Sequence, residues 1–274
     1  MTLSVKFWGV RGSIACPSPK HMVYGGNTSC LEIIAGENHL IFDAGTGIRN
    51  LGLQLLKDKK KASHLFLTHC HWDHINGFPF FGPAYVAGND LVVSAGNVKD
   101  KGGIENVLST HVNTPTFPIP IDAMQAKFDF QDFNFGDEWE ILPGVKIITK
   151  SLNHPNGATG YRVEYGGKSI CYVTDTEHVV GQPDQNVLDL IEGSEIVIYD
   201  STFTDEEFPS FLGWGHSTWQ EGVRLCKAAN AKRLAIFHHA PEHDDDFMRN
   251  VADEARQEWD SCVVAQEQMI LTAT

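Results

Sequence analysis

A chain of 274 residues, 42% hydrophobic and 20% charged, has the apolar content of an ordinary globular protein and too little charge density for disorder. Its 35 acidic against 21 basic residues give a formal charge of −14, which disfavours a general nucleic-acid surface but leaves a small anionic substrate open, because bound cations reverse the field locally. No run approaches the roughly 18 apolar residues of a membrane span, the start MTLSVKFWGV has neither the apolar region nor the cleavage site of a signal peptide, and the six cysteines (Cys16, Cys30, Cys70, Cys171, Cys226, Cys262) form no C-x-x-C pair. A cytoplasmic chain with reduced, mainly buried thiols and no membrane partner is expected.

The N-terminal third reads as strands Leu3 to Trp8, Cys30 to Ala35 and His39 to Asp43, with a tight turn at Gly36-Glu37-Asn38. After Asp43-Ala44-Gly45-Thr46-Gly47, apolar Ile48, Leu51, Leu55 and Leu56 recur at helical spacing, and the basic run Lys57 to Lys61 suits a helix C-terminus. Leu65-Phe66-Leu67 is a short buried strand that delivers the next residues into a loop. Residues 97–128 lack clear periodicity and carry Thr114-Pro115-Thr116-Phe117-Pro118-Ile119-Pro120, whose prolines disfavour helix and interior strand, so an insertion or lid is expected there. The second half predicts strands Val145 to Thr149, Gly160 to Tyr165, Ser169 to Thr174, Glu195 to Tyr199 and Arg233 to Phe237, a Gly166-Gly167 turn, and helices near Thr218 to Ala229 and Asp244 to Trp259. No linker separates the halves and no repeat is visible, so residues 1–274 read as one α/β domain, a two-sheet sandwich with helices outside.

The stretch 68-THCHWDHING-77 concentrates His69, His71, Asp73 and His74 directly after a buried strand. In an extended segment i and i+2 face the same way, so His69 and His71 offer two imidazoles to one ion, while the following turn carries Asp73 and His74 toward a second. Cys70, between the ligands, points the other way and is read as packing. Four donors cannot complete two coordination spheres. Three more stand at the ends of predicted strands: His154, Asp175 and His238, with His239 competing for the last place. Imidazole and carboxylate donors suit zinc, with manganese or iron tolerated, so two divalent ions are expected.

This order of His69-x-His71-x-Asp73-His74, His154, Asp175 and His238 resembles the metallo-β-lactamase superfamily along nearly the whole chain. The resemblance implies a four-layer αββα sandwich in which His69, His71 and His154 hold one ion, Asp73, His74 and His238 the other, and Asp175 bridges both. Redox di-iron members usually carry glutamate where His71 stands, which weighs against oxygen chemistry. The segment Gly215-His216-Ser217-Thr218 is similar to the His-Ser-Thr loop of the RNase Z-like phosphodiesterase branch, and Asp200 to that branch's acidic position. Physically, Asp200 would orient His216 and raise its pKa, making it a proton donor to a leaving alkoxide or a clamp on a phosphate oxygen; the bland alternative is that Ser217 or Thr218 caps a helix and His216 stands idle.

Only 20 residues lie between His154 and Asp175, room for a hairpin and not for the long arm with which RNase Z enzymes hold tRNA. Together with the charge, this shifts the expected substrate from large nucleic acid to a small phosphodiester. The segments 8-WGVRGSIACPSP-19, 24-YGGNTSC-30 and 152-LNHPNGATGYRVE-164 resemble a cyclic-nucleotide phosphodiesterase-like subgroup, with Arg11 and Asn27 as substrate contacts. The expectation is a phosphodiesterase in which hydroxide held between two ions attacks a small phosphodiester, a cyclic nucleotide above all, with Asp73, His216 and Asp200 catalytic. A lactone or thioester hydrolase on the same metals and a noncatalytic nucleotide-binding protein are the alternatives, and a homodimer is expected by resemblance alone.

Overall fold

The structure is a computed structural model and describes residues 1–96 and 98–274. In the first half the strands are β1 (Leu3–Gly9), β2 (Cys30–Ala35), β3 (Asn38–Phe42), β4 (Ala62–Leu67), β5 (Asp90–Gly96) and β6 (Lys127–Phe133). The second half supplies β7 (Glu138–Leu142), β8 (Val145–Leu152), β9 (Ala158–Tyr165), β10 (Lys168–Val173), β11 (Ile196–Asp200), β12 (Leu234–Phe237), β13 (Cys262–Val264) and β14 (Ile270–Thr272). The helices are α1 (Ile48–Asp58), α2 (Trp72–Ile75), α3 (Gly103–His111), α4 (Gln185–Ile191), α5 (Trp219–Ala228) and α6 (Asp245–Glu258). They surround two seven-stranded sheets, ordered β14-β1-β2-β3-β4-β5-β6 and β13-β12-β11-β10-β9-β8-β7.

Both sheets follow one plan. Each opens antiparallel, through β1–β2–β3 and β7–β8–β9–β10, and continues parallel, through β3–β4–β5–β6 and β10–β11–β12–β13. A parallel pair needs a crossover; α1, α3, α4, α5 and α6 supply five of the six, and the segment that carries α2 links β4 to β5. Alternation within strands divides the apolar residues among three layers. Leu3, Val5 and Phe7 of β1, Phe66 of β4 and Tyr161, Tyr172 and Phe237 of the other sheet meet between the sheets. Leu65 and Leu67 point instead to the layer under α1 and α3, with Ile48, Leu51, Ile104 and Leu108. The third layer joins α4, α5 and α6 to the outer face of the second sheet. The result is the expected αββα sandwich.

Helix ends follow local chemistry. Thr218 caps α5 by accepting from the Glu221 N–H, and Asp244 caps α6 by accepting from Asp246 and Phe247. Lys59 ends α1 in the left-handed region, so the helix stops inside the basic run. Asn97, first residue of the expected lid, lies outside the described residues. The remainder, 98–128, contains α3, which the sequence reading missed, and forms the crossover from β5 to β6, with Ile104, Leu108 and Val112 in the core. All six cysteines are free; Cys16 and Cys70 are partly exposed and the other four buried. Among the described residues no helix is long and apolar enough to cross a membrane.

Candidate metal centre

The C-terminal ends of β3, β4, β8, β10, β11 and β12 converge, and the residue at or just beyond each of five of these ends is Asp43, His154, Asp175, Asp200 or His238. His69, His71, Asp73 and His74 follow β4 in the same place, the last two on the single turn of α2. Their ligand atoms include two groups without a shared member, His69 with His71 and His154, and Asp73 with His74 and His238, and Asp175 joins two further groups, with His69 and His74 and with Asp200, His216 and His238. Asp175 stands between the first two. Its Oδ2 lies 3.6 Å from His69 Nε2 and 3.8 Å from His154 Nε2, and its Oδ1 lies 3.2 Å from His74 Nε2 and 3.3 Å from His238 Nε2. Asp73 Oδ2 is 3.4 Å from both His74 Nε2 and His238 Nε2 and accepts the Ser13 N–H at 2.7 Å.

The buried nitrogens test whether this cluster fits metal. His69 Nε2, His74 Nε2 and His238 Nε2 are buried without a hydrogen-bond partner, a costly state for polar atoms unless something else is bound to them. The opposite nitrogen of each ring explains their tautomer. His74 Nδ1–H donates to Asp43 Oδ2 at 2.8 Å, His154 Nδ1–H to the Gly215 carbonyl at 2.8 Å, His238 Nδ1–H to Thr202 Oγ1 at 2.9 Å and His69 Nδ1–H to Thr68 Oγ1 at 3.1 Å. Each leaves an Nε2 lone pair aimed into the cluster, the arrangement by which outer partners orient metal-binding imidazoles. The residues therefore fit two divalent ions.

Charge agrees with geometry. Burial pushes the Asp73 and Asp175 carboxyls up, but the imidazoles against them outweigh it and hold both below the usual carboxylate range. Burial lowers His69, His71 and His154, which suits neutral donors. Burial also pulls His74 down, but Asp175, Asp73 and Asp43 override it and raise that imidazole.

Of the last pair, the structure brings His238 to the cluster and not His239. His239 donates from Nε2 to the Ala265 carbonyl at 2.9 Å, and burial beside Arg11 presses its pKa down to about 3. His216 and Asp200 also meet. His216 Nδ1 lies 3.0 Å from Asp200 Oδ2 and 3.9 Å from Asp175 Oδ2. Burial lowers this imidazole, but Asp200 and then Asp175 outweigh it and raise its pKa to about 9. Asp200 is fully buried and accepts from the N–H groups of Thr176 and Thr202 and from the Thr202 hydroxyl. Thr218 does cap α5, so the hydroxyl and the histidine have separate tasks.

Arg11 and Asn27, expected as substrate contacts, are not brought to the cluster, and their side chains are engaged elsewhere. Arg11 is fully buried, with Nε donating to the Gly25 carbonyl and one terminal nitrogen to the carbonyls of Ala240 and His243. Asn27 is tied to Glu267 through both its backbone N–H and its side-chain amide. Their loop serves the site by backbone instead. Ser13 anchors Asp73, and Gly12 lies so close to His238 that an added Cβ would sit 2.4 Å from the ring. Cys70 is also corrected in part: it packs against the core but lines a cavity with His69 and His71, and burial raises its thiol to about 11, unlike a ligand thiolate.

The sequence reading missed Asp43, Thr68 and Thr202. Asp43 is fully buried and accepts from His74, from Tyr172 OH at 2.8 Å and from both the backbone and hydroxyl of Thr68. The signal that exposed His154 and Asp175, a polar residue at the end of a buried strand, was present at Asp43 as well. Asp43, Asp175 and His238 all have φ near +60°, at 60, 57 and 63°, strained backbone that persists where surrounding bonds overdetermine it. Replacing Asp43 with asparagine is expected to weaken metal binding about 10- to 100-fold while the fold persists. Chelator competition on the purified variant measures this.

Comparison with known proteins matches residues 38–239 to the model of the beta-lactamase superfamily domain. A protein named Ribonuclease Z from Haloarcula marismortui is 24% identical, with 97% of this chain and 95% of the relative aligned. Among solved structures, the metallo-beta-lactamase fold protein YhfI from Bacillus subtilis superposes with TM-score 0.73 at 17% identity over 99% of both chains. A diphosphatase of the PhnP family superposes with TM-score 0.69 at 18% identity, covering 98% of this chain and 97% of the other. At these identities the two structural likenesses speak to the fold.

Proposed function

The chain belongs to the beta-lactamase superfamily, and from that premise we propose that it is a metal-dependent hydrolase of small phosphodiesters, with cyclic nucleotides the substrate class and zinc the expected ion. The observation that carries the phosphodiester reading is His216, held at 3.0 Å by a buried Asp200 and facing the carboxylate that spans the two ligand groups. Carbonyl hydrolysis by the same cluster would leave this pair without a task.

His69, His71 and His154 would hold one ion, Asp73, His74 and His238 the other, with Asp175 shared. When bound, the pair supplies Lewis acidity toward phosphoryl oxygens and a nucleophilic water at neutral pH. The chain does the rest. Asp73, fixed by the Ser13 N–H, offers its carboxylate to orient the attacking water. His216 uses Nδ1–H on Asp200, so its other nitrogen is left to donate a proton to the departing oxygen or to grip a phosphate oxygen. Asp200 stays ionised behind it, stabilised by three donors from Thr176 and Thr202.

Substrate size rests on what lies between His154 and Asp175. Those residues form the β9–β10 hairpin and its Gly166-Gly167 turn, with no protruding arm to hold a folded RNA. The net charge of −14 acts in the same direction. The name of the Haloarcula relative favours a second reading, an RNA phosphodiesterase, and the test must include it.

Zinc- or manganese-loaded protein is expected to hydrolyse bis-p-nitrophenyl phosphate and cyclic AMP, and Asp73→Ala to lose at least about a hundredfold on both. Turnover of a 3′-extended tRNA far above that of cyclic AMP would replace the small-substrate reading with the RNA one. Hydrolysis of lactones or thioesters alone, or nucleotide binding without product, would sink the phosphodiesterase reading altogether.

A further inference from the structure

A cavity of about 210 Å³ opens directly beside the cluster, lined by His69, His71, Cys70, Val98, Lys101 and Val107 among others. Its far wall comes from the β5–β6 crossover, the turn before α3 and α3 itself. At about 30 Å³ per water it has room for about seven waters, less than the 300 Å³ at which whole-ligand pockets begin. It is sized for one arm of a substrate whose reacting centre lies on His69 and His71.

The chemistry of the lining is uneven. Val98 is buried and Val107 half-buried, so most of the wall is apolar, and Cys70 remains an uncharged thiol. Lys101 is the one cationic side chain among the residues lining it. Five other lysines are ion-paired, Lys20 with Asp244, Lys146 with Glu138, Lys150 with Asp189, Lys227 with Glu258 and Lys232 with Glu195, whereas Lys57, Lys59, Lys60, Lys99 and Lys127 have no ion pair or side-chain hydrogen bond among the described residues but do not line this cavity. Lys101 makes no ion pair or side-chain hydrogen bond among the described residues, in a chain whose acidic groups exceed its basic ones by 14. Lys101 is exposed and solvated in the free protein, and at the mouth of a small apolar-walled cavity it is the cation placed to pair with an anionic group of a ligand.

We propose that this cavity is a specificity site for an anionic arm, so that the preferred phosphodiester carries on one ester arm a second negative group, a carboxylate or a phosphate, that pairs with Lys101. The proposal rests on the phosphodiesterase reading for which bond is cut, but not for what the cavity binds. It separates such esters from those with a neutral arm, which would fill the same space and leave the ammonium unpaired.

Binding tests it without turnover. Calorimetry on metal-loaded wild type and Lys101→Gln would compare methylphosphonate with 3-phosphonopropionate and ethylenediphosphonate. Wild type is expected to hold the two longer probes about tenfold more tightly than methylphosphonate, and Lys101→Gln to lose that preference while binding methylphosphonate alike. The probe with the larger loss identifies carboxylate or phosphate as the better arm. A preference that survives in Lys101→Gln would assign it to the metals and overturn the proposal, as would no preference in wild type. In parallel, 4-nitrophenyl phosphodiesters with 3-hydroxypropyl and 2-carboxyethyl arms would be assayed, with the discrimination expected in KM. The expected binding pattern without hydrolysis of either ester would retain the anion site and discard the phosphodiesterase reading.

Discussion

Asp175→Ala is expected to reduce retained metal from two ions to at most one per chain and to lower kcat/KM on any substrate by about 10³-fold or more. The magnitude follows from what one ion contributes: Lewis-acid stabilisation is worth several kcal/mol, and each 1.36 kcal/mol is about tenfold in rate. Asp175 has this weight because, among the described residues, it is the only side chain whose two oxygens face both ligand groups, Oδ2 toward His69 and His154 and Oδ1 toward His74 and His238. Loss of any one histidine leaves the other group complete, whereas loss of Asp175 opens both. Metal content after gel filtration, read beside circular dichroism, separates this from unfolding. Two tightly held ions and activity within tenfold of wild type would show that the bridging role is wrong.

The same geometry explains how far the sequence could be read. His69, His71, Asp73, His74, His154, Asp175 and His238 stood out because each is a polar residue of a type that can bind metal, placed where a buried strand stops, an expensive location without a purpose. Arg11 was hard to place because a glycine-rich loop does not reveal which way its side chains turn. Only the fold shows that this guanidinium is buried, with two of its three nitrogens donating to the carbonyls of Gly25, Ala240 and His243. Asp43 was read only as the end of a strand, since its value lies in a contact with His74 made by tertiary packing.

Among the elements, α3 escaped because its nine residues start on the second glycine of Gly102-Gly103 and run into a proline-rich segment, although Ile104, Val107 and Leu108 keep helical spacing. β13 and β14 have three residues each, too few for any periodicity, and exist because β12 and β1 present open edges to pair with. Long amphipathic segments and strand-end ligands were thus written locally. Short edge strands and buried bonding partners were decided by the fold as a whole.

His216→Ala should distinguish the two tasks open to that residue. As a proton donor, the imidazolium matters when the leaving group is a poor alkoxide and matters little when it is a nitrophenolate, which departs without a proton. Cyclic AMP hydrolysis is then expected to fall by about 10²- to 10⁴-fold, the range for general acid catalysis, while bis-p-nitrophenyl phosphate falls by about tenfold or less. As a clamp on a phosphate oxygen, His216 would act on both substrates alike, and the two losses would match. Donation is favoured by the way Asp200 is built: a fully buried carboxylate with three donors from Thr176 and Thr202, plus His216 Nδ1, is tuned to hold an imidazolium upright and ionised. Asp200→Asn should therefore reproduce much of the His216→Ala pattern on cyclic AMP while leaving metal content unchanged. Equal losses on the two substrates would assign His216 to the clamp, and no loss on either would return it to a structural part of the loop before α5.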